Sequence, residues 1–257
     1  MARTTLTPFC AHPTMRVYNW IFAVPDFAAN LLTIIPARNE AATVGEIVRR
    51  VRAAVGGDVL VVNDASDDET SAQARGAGAT VLDLPLRLGA WGAAQTGLRY
   101  ARRNRYAVAL TLDADGQHHP EELPRLVSAW LASGANVAIG TYPQRLSKAK
   151  RLAARYFHLI TGIGVQDFTS GLRVYDRRAI RTLAAREASL LDYQDLGVLM
   201  LLRQRGLRLC EVPTPMSQRR SGGSRVFSSW PTVLRYMLHT TVLCFAQIGA
   251  GRAGARA

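Results

Sequence analysis

Sulfur has little part in this chain. Its 257 residues include three cysteines, Cys10, Cys210 and Cys244, which form neither a metal-binding spacing nor an even disulfide set. That usage suits a reducing compartment and excludes a disulfide scaffold. No Walker A sequence occurs, and no G-x-G-x-x-G follows the first strand pattern, so a Rossmann dinucleotide site is unsupported. Acidic residues are scarce: 19 Asp and Glu face 32 Lys and Arg, a formal net charge of +13. Such an excess suits a polyanionic partner, whether nucleic acid, an anionic membrane surface or a phosphorylated substrate. An Arg- and Ala-rich composition also follows from biased genomic base usage, so charge alone does not choose among them. The aromatic-interleaved basic motif of nucleic-acid modules is missing, which argues against that partner.

Long apolar runs are missing too. The early piece "WIFAVPDFAANLL" is broken by Pro25 and Asp26, and no basic-then-apolar order precedes it, so no secretory signal is expected. Met15 offers a second candidate start, which would leave residues 1–14 untranslated. Near the other end, "PTVLRYMLHTTVLCFAQI" is too short, and carries Arg235 and His239, to span a bilayer. An interfacial amphipathic helix with Leu234, Leu238, Val242 and Phe245 near one face is one reading; a helix docked on the protein's own core is the other. With no repeat or low-complexity linker, one domain with two functional halves is expected. It would run over residues 31–226, after an N-terminal extension (1–30) and before a C-terminal amphipathic helix and basic tail (227–257).

What is present is globular: 48% hydrophobic and 20% charged residues. Apolar runs at 31–36, 58–64, 80–85, 106–115 and 136–140 read as strands, with helical spacing over 43–55, 67–76, 90–104 and 121–132. Continuous Val/Ile/Leu strands separated by helices predict an α/β fold, a mostly parallel sheet covered on both faces. Beyond it come a helix near 147–160, "QDFTSGLRVYDRRAI", a helix across 192–205, the strand "RLCEVP" and the loop "MSQRRSGGSRV".

Polar residues gather at the strands' carboxyl ends: Asn39 and Glu40, Asn63 and Asp64, Asp113 and Asp115. Open α/β sheets bind ligands at that edge. In "TLDADGQHHP" a turn at Ala114-Asp115-Gly116 could bring the oxygens of Asp113 and Asp115 together. With the Gln117 amide oxygen they make a hard donor set for Mg²⁺ or Mn²⁺, ions that keep diphosphate oxygens as further ligands. His118 and His119 lack the partners of a zinc site; one of them could cap the next helix or touch a phosphate. In "VVNDASDDET", Ser66 or Asp67 is expected to cap the following helix, leaving Asp64 to accept hydrogen bonds from a base or ribose. The glycines of "RLGAWGAAQTG" would allow close backbone approach, with Arg87 near the ligand.

Taken as a set, these stretches resemble glycosyltransferase family 2, with its GT-A fold, and within it the polyprenyl-phosphate sugar transferases. "IIPARNEAATV" resembles the family's opening strand and turn, "VVNDASDDET" its nucleotide-binding segment and "DADGQHHP" its metal motif. "DFTSGLRVYDRRAI" and "RLCEVPTPMSQRRSGGSRV" resemble its acceptor-side segments. The resemblance implies that Pro36, Arg38, Glu40 and Asp64 border the nucleotide, with Arg87 and Ala114 also on the donor side. It implies that Asp113, Asp115 and Gln117 hold a metal and the donor diphosphate, and that Arg173, Arg219, Ser224 and Arg225 surround the phosphates. Catalysis would rest on Asp115 and Arg219, with Asp195 as a candidate base.

One departure is informative. Gly197 stands where relatives often carry a glutamate, and Asp195 is the nearest acid. A phosphate acceptor is already anionic and needs no base, whereas a sugar hydroxyl does. The expectation is therefore an inverting transfer from a GDP- or UDP-sugar to a polyprenyl phosphate. It would take place at the cytoplasmic face of a membrane, with the protein held peripherally by anionic lipid or a membrane partner. The runner-up is a hydroxyl acceptor with Asp195 as base.

Overall fold

The computed structural model describes residues 27–142, 148–191, 195–217 and 241. A seven-stranded sheet carries the order β3-β2-β1-β4-β6-β5-β7. Its strands are β1 Leu31–Ala37, β2 Asp58–Asn63, β3 Thr80–Asp83, β4 Val108–Thr111, β5 Val137–Thr141, β6 Arg173–Asp176 and β7 Leu209–Pro213. The helices are α1 Val44–Val55, α2 Thr70–Gly76, α3 Gly89–Arg103, α4 Leu123–Ser133, α5 Lys148–Thr161, α6 Arg177–Leu183 and α7 Leu196–Gln204.

The unbroken apolar strands have a simple cause: both faces of the sheet are covered. On β1, Leu32 and Ile34 pack with Leu60 and Val62 of β2 under Trp91, Ala94 and Leu98 of α3. The alternate residues Leu31 and Ile35 pack with Val59 and Val61 against Val48 and Val51 of α1. Successive strand side chains point to opposite faces, so each layer receives every second residue. Helix α3 lies close on β1: a Cβ added to Gly97 would stand 2.3 Å from Ile34 Cγ2.

The sheet is mostly parallel, as its sequence suggests, with β6 running antiparallel to both β4 and β5. Neither β6 nor α6 was expected inside "DFTSGLRVYDRRAI". The strand is only four residues, "RVYD", with a charge at each end, so it shows no apolar run. The run at 106–115 also shortens, since β4 ends at Thr111 and Asp113–Asp115 lie in the following turn. Residues 1–26 and most of the C-terminal stretch, including Leu234, Leu238, Val242 and Phe245, lie outside the described residues. No helix among the described residues is long and apolar enough to cross a membrane.

Candidate active site

Three strand ends and the loops that follow them build one polar edge. The first loop leaves β1 through Pro36, Ala37 and Arg38 and turns at Asn39, whose φ of 55° is left-handed. Asparagine tolerates that conformation better than most residues. The turn and the residues after it are tied to the second loop by four side-chain cross-bonds. Ser66 Oγ accepts from Asn39 N at 3.0 Å, Thr70 Oγ1 from Glu40 N at 2.9 Å, and Asn39 Oδ1 from Asp67 N at 2.9 Å. Ser66 and Asp67 therefore bind across to the first loop and do not cap α2, which corrects the sequence expectation. Asp68 does both: its Oδ1 accepts from Thr70 N at 3.0 Å at the start of α2, and its Oδ2 makes the fourth cross-bond, accepting from Ala41 N at 3.2 Å.

The second loop is anchored from below. Asn63, at the end of β2, donates through Nδ2 to Asp83 at 2.9 Å, and its Oδ1 accepts from Ser66 N at 3.2 Å. Donors from Ser71, Asn63 and Arg75 hold the Asp83 carboxyl down to about 2. Asp64 is buried, 4% exposed, and its two oxygens accept from Leu88 N at 2.6 Å and Gly89 N at 2.9 Å. Those N–H groups open α3, where Leu88 offers no side-chain cap. Asp64 thus serves as a remote helix cap, and a base or ribose hydroxyl would have to share it. Arg87, just before this contact, is exposed.

The third loop carries the paired acids. Thr43 Oγ1 donates to Ala114 O at 2.7 Å, pinning the turn to the first loop. Asp115 Oδ1 accepts from Gln117 N at 3.1 Å, closing an Asx-type turn, and Gln117 O accepts from Ser217 N at 2.8 Å. Gln117 and His118 are buried, and His118 Nε2 stands 3.7 Å from Asp113 Oδ2. His119 Nε2 lies 2.9 Å from Ser217 Oγ, so it meets the segment after β7. Just beyond, Arg50 of α1 holds Glu121 at 2.8 Å through both carboxylate oxygens, which keeps its carboxyl down at about 2. Among the described residues no three His, Cys, Asp or Glu form a metal cage. The carboxylates of Asp113 and Asp115 sit in one partly exposed turn, and oxygen donors of that kind fit a hard cation that takes its remaining ligands from a diphosphate.

Two expected residues have structural tasks of their own. Arg173 is 0% exposed, with Nε donating to Ser170 O at 2.9 Å and Nη2 to Phe168 O at 2.7 Å. Its guanidinium shapes the turn before β6, a structural task that the sequence did not suggest. Asp195 is the N-cap of α7, its Oδ1 accepting from Gly197 N at 3.1 Å. Arg219, Ser224 and Arg225 lie outside the described residues. Sequence reasoning missed Thr43, Thr70 and Asp68, hydroxyl and acid groups whose partners lie in other loops. It also passed over Glu211 of β7, whose Oε1 accepts from Gln166 N at 2.8 Å and Asp167 N at 3.1 Å.

A mostly parallel seven-stranded sheet with helices on both faces and its polar loops at the strands' carboxyl ends is the GT-A fold. Residues 33–184 match the family described as Glycosyl transferase family 2, and the chain belongs to it as a glycosyltransferase. The chain is 31% identical over 219 residues to the polyprenol monophosphomannose synthase of Mycolicibacterium smegmatis, covering 77% of this chain and 81% of the relative. It is 32% identical over 214 residues to the undecaprenyl-phosphate mannosyltransferase of Micrococcus luteus, covering 76% and 87%. Glucosyl-3-phosphoglycerate synthase from Mycobacterium tuberculosis, solved with Mn²⁺, UDP and glucosyl-3-phosphoglycerate, shares the fold at a TM-score of 0.70 and 21% identity, over 93% of this chain and 86% of that one.

Proposed function

We propose that this glycosyltransferase moves a hexosyl group from a UDP- or GDP-sugar to the phosphate of a polyprenyl phosphate, by single displacement with inversion. The observation that carries the reading is the linked polar edge. The first loop holds the second by four side-chain hydrogen bonds and the paired-acid turn by a fifth, giving one preorganised surface for a nucleoside diphosphate. The relatives in Mycolicibacterium and Micrococcus are named for lipid-phosphate acceptors, which supports that acceptor class here.

Asp113 and Asp115, with Gln117, would hold a divalent cation that draws charge from the departing nucleoside diphosphate. The rest of the work falls to the chain's own groups. Pro36, Arg38 and Glu40 border the nucleotide, and Asp64 keeps α3 and Arg87 in place. An acceptor phosphate oxygen bonds to the anomeric carbon as the bond from that carbon to the diphosphate breaks, and no proton need be removed. Arg219, Ser224 and Arg225 would compensate the acceptor's charge.

A membrane-facing orientation fits the outer side of α5. Leu152 and Leu159 are exposed at 68% and 84%, with Tyr156 between them and Arg151 and Arg155 alongside. Apolar residues at this spacing with basic flanks suit the interface of an anionic bilayer, which supports peripheral attachment at the cytoplasmic face. Thr241 places its Oγ1 3.3 Å from Tyr156 Oη on the same face.

The test follows labelled sugar from UDP- and GDP-sugars into organic-extractable lipid, with undecaprenyl phosphate as acceptor. Label in the lipid, lost in EDTA and in Asp115→Ala, is the expected result. Label that enters only water-soluble glycosides or a phosphoglycerate would move the assignment to the hydroxyl-acceptor reading.

A further inference from the structure

We propose that Gly171 is a positioning residue for the donor site: its missing side chain leaves the space in which the Asp113 carboxylate stands. The inference rests on the donor-site reading above. It transfers a residue of the supposed acceptor-side segment to the donor side.

The antiparallel strand β6 creates the contact. Thr111 of β4 pairs with Arg173 of β6, so the same register carried two residues onward sets Asp113 opposite Gly171. A Cβ on Gly171 would stand 2.4 Å from Asp113 Oδ1, 2.5 Å from Oδ2 and 2.7 Å from Cγ, its three nearest atoms. Gly171 is not among the glycines with positive φ, so its backbone would accept an alanine. What alanine displaces is therefore the carboxylate.

The wall behind the contact is held by hydrogen bonds from three sides, and the atoms a methyl group would meet are the far end of a side chain. Thr111 Oγ1 donates to Gly171 O at 2.7 Å, and Arg173 Nε to Ser170 O at 2.9 Å. Ser170 Oγ donates to Gly140 O at 2.6 Å, joining the turn to β5. The Asp113 side chain is 49% exposed, with the buried ring of His118 on one flank. An added methyl group should push the carboxylate off its place and leave the turn where it is.

The test uses the full chain in five forms: wild type, Gly171→Ala, Asp113→Ala, the double variant and Gly97→Ala as a control. Two quantities are read, the Mn²⁺ affinity with UDP or GDP present, from the spin-resonance signal of free Mn²⁺, and the ligand-free unfolding midpoint. Gly171→Ala is expected to weaken Mn²⁺ binding about 10- to 100-fold, as other losses of ligand orientation do. Any drop in its unfolding midpoint should vanish in the Asp113→Ala background, where the new methyl group has room. Gly97→Ala, which meets Ile34 in the core, should lower the midpoint and leave Mn²⁺ affinity unchanged. Wild-type chain without Mn²⁺-dependent nucleotide binding would overturn the donor-site reading itself. Wild-type binding with unaltered affinity in Gly171→Ala would overturn only the role of Gly171. If Gly171→Ala does not fold, recovery by Asp113→Ala supports the contact, and failure to recover removes it.

Discussion

The Asp64 carboxylate and the Gly89 backbone N–H are 2.9 Å apart, joining the end of β2 to the start of α3 across 25 residues. The neighbouring N–H of Leu88 fills the other oxygen at 2.6 Å. An acid read from sequence as a nucleotide contact is thus also a structural clasp for the loop that carries Arg87. Asp64→Ala should cost about 1–3 kcal/mol of ligand-free stability, because two N–H groups lose a buried acceptor. Asp64→Asn keeps one acceptor and should cost less. Chemical denaturation without nucleotide measures both; unchanged stability would mean that the clasp carries no weight.

Arg173 shows where sequence reading stops. Strands β1, β2 and β5 are legible because burial on both faces makes them continuous apolar runs, and the paired acids are legible as a strand ending in charge. The partners of Arg173 are not, since its role depends on the turn made by Phe168 and Ser170 and on β6, a strand without an apolar run. The contact of Gly171 with Asp113 is hidden for the same reason: it follows from a register between segments about sixty residues apart. Asp64 follows β2 as its sequence position suggests, but its hold on Leu88 and Gly89 is not legible, because a backbone N–H leaves no mark in sequence. Arg173→Met keeps the apolar stem but strips two buried carbonyls of their donor, and should lower stability by about 2 kcal/mol or more. A phosphate ligand would instead lose affinity with no change in ligand-free stability, so urea midpoints separate the two roles.

Glu211 predicts a pH dependence. Burial pushes its carboxyl up, Asp167 pushes the same way, and the N–H donors of Asp167 and Gln166 act against them. A carboxyl raised in the folded state binds its proton more tightly there than in the unfolded chain. Its contribution to stability is therefore full below the unfolded value and is lost as pH rises through the raised one. Glu211→Gln keeps an acceptor for the two N–H groups and cannot ionise. Its stability should vary less with pH over that window and equal or exceed wild type at neutral pH. Midpoints taken from mildly acid to neutral pH check this; a variant weaker than wild type at neutral pH would show that the ionised form holds the turn better than burial penalises it.

Asp195 allows the acceptor class to be tested without disturbing the fold. Its Oδ1 caps α7 through Gly197 N at 3.1 Å. Asparagine is as good a cap as aspartate, so Asp195→Asn should change stability by only a few tenths of a kcal/mol. A fall in transfer rate then reports chemistry, not unfolding. A polyprenyl phosphate arrives ionised, since the second phosphate pKa is about 6 and the first lies far below it. For that acceptor Asp195→Asn should cost severalfold at most, and far less than Arg219→Ala or Arg225→Ala, which would remove charge compensation. A hydroxyl acceptor needs its proton taken, and loss of the base should cost about a hundredfold or more. Rates for the three variants with undecaprenyl phosphate decide it. A large loss in Asp195→Asn beside small losses in the arginine variants would assign the acceptor a hydroxyl and Asp195 the proton.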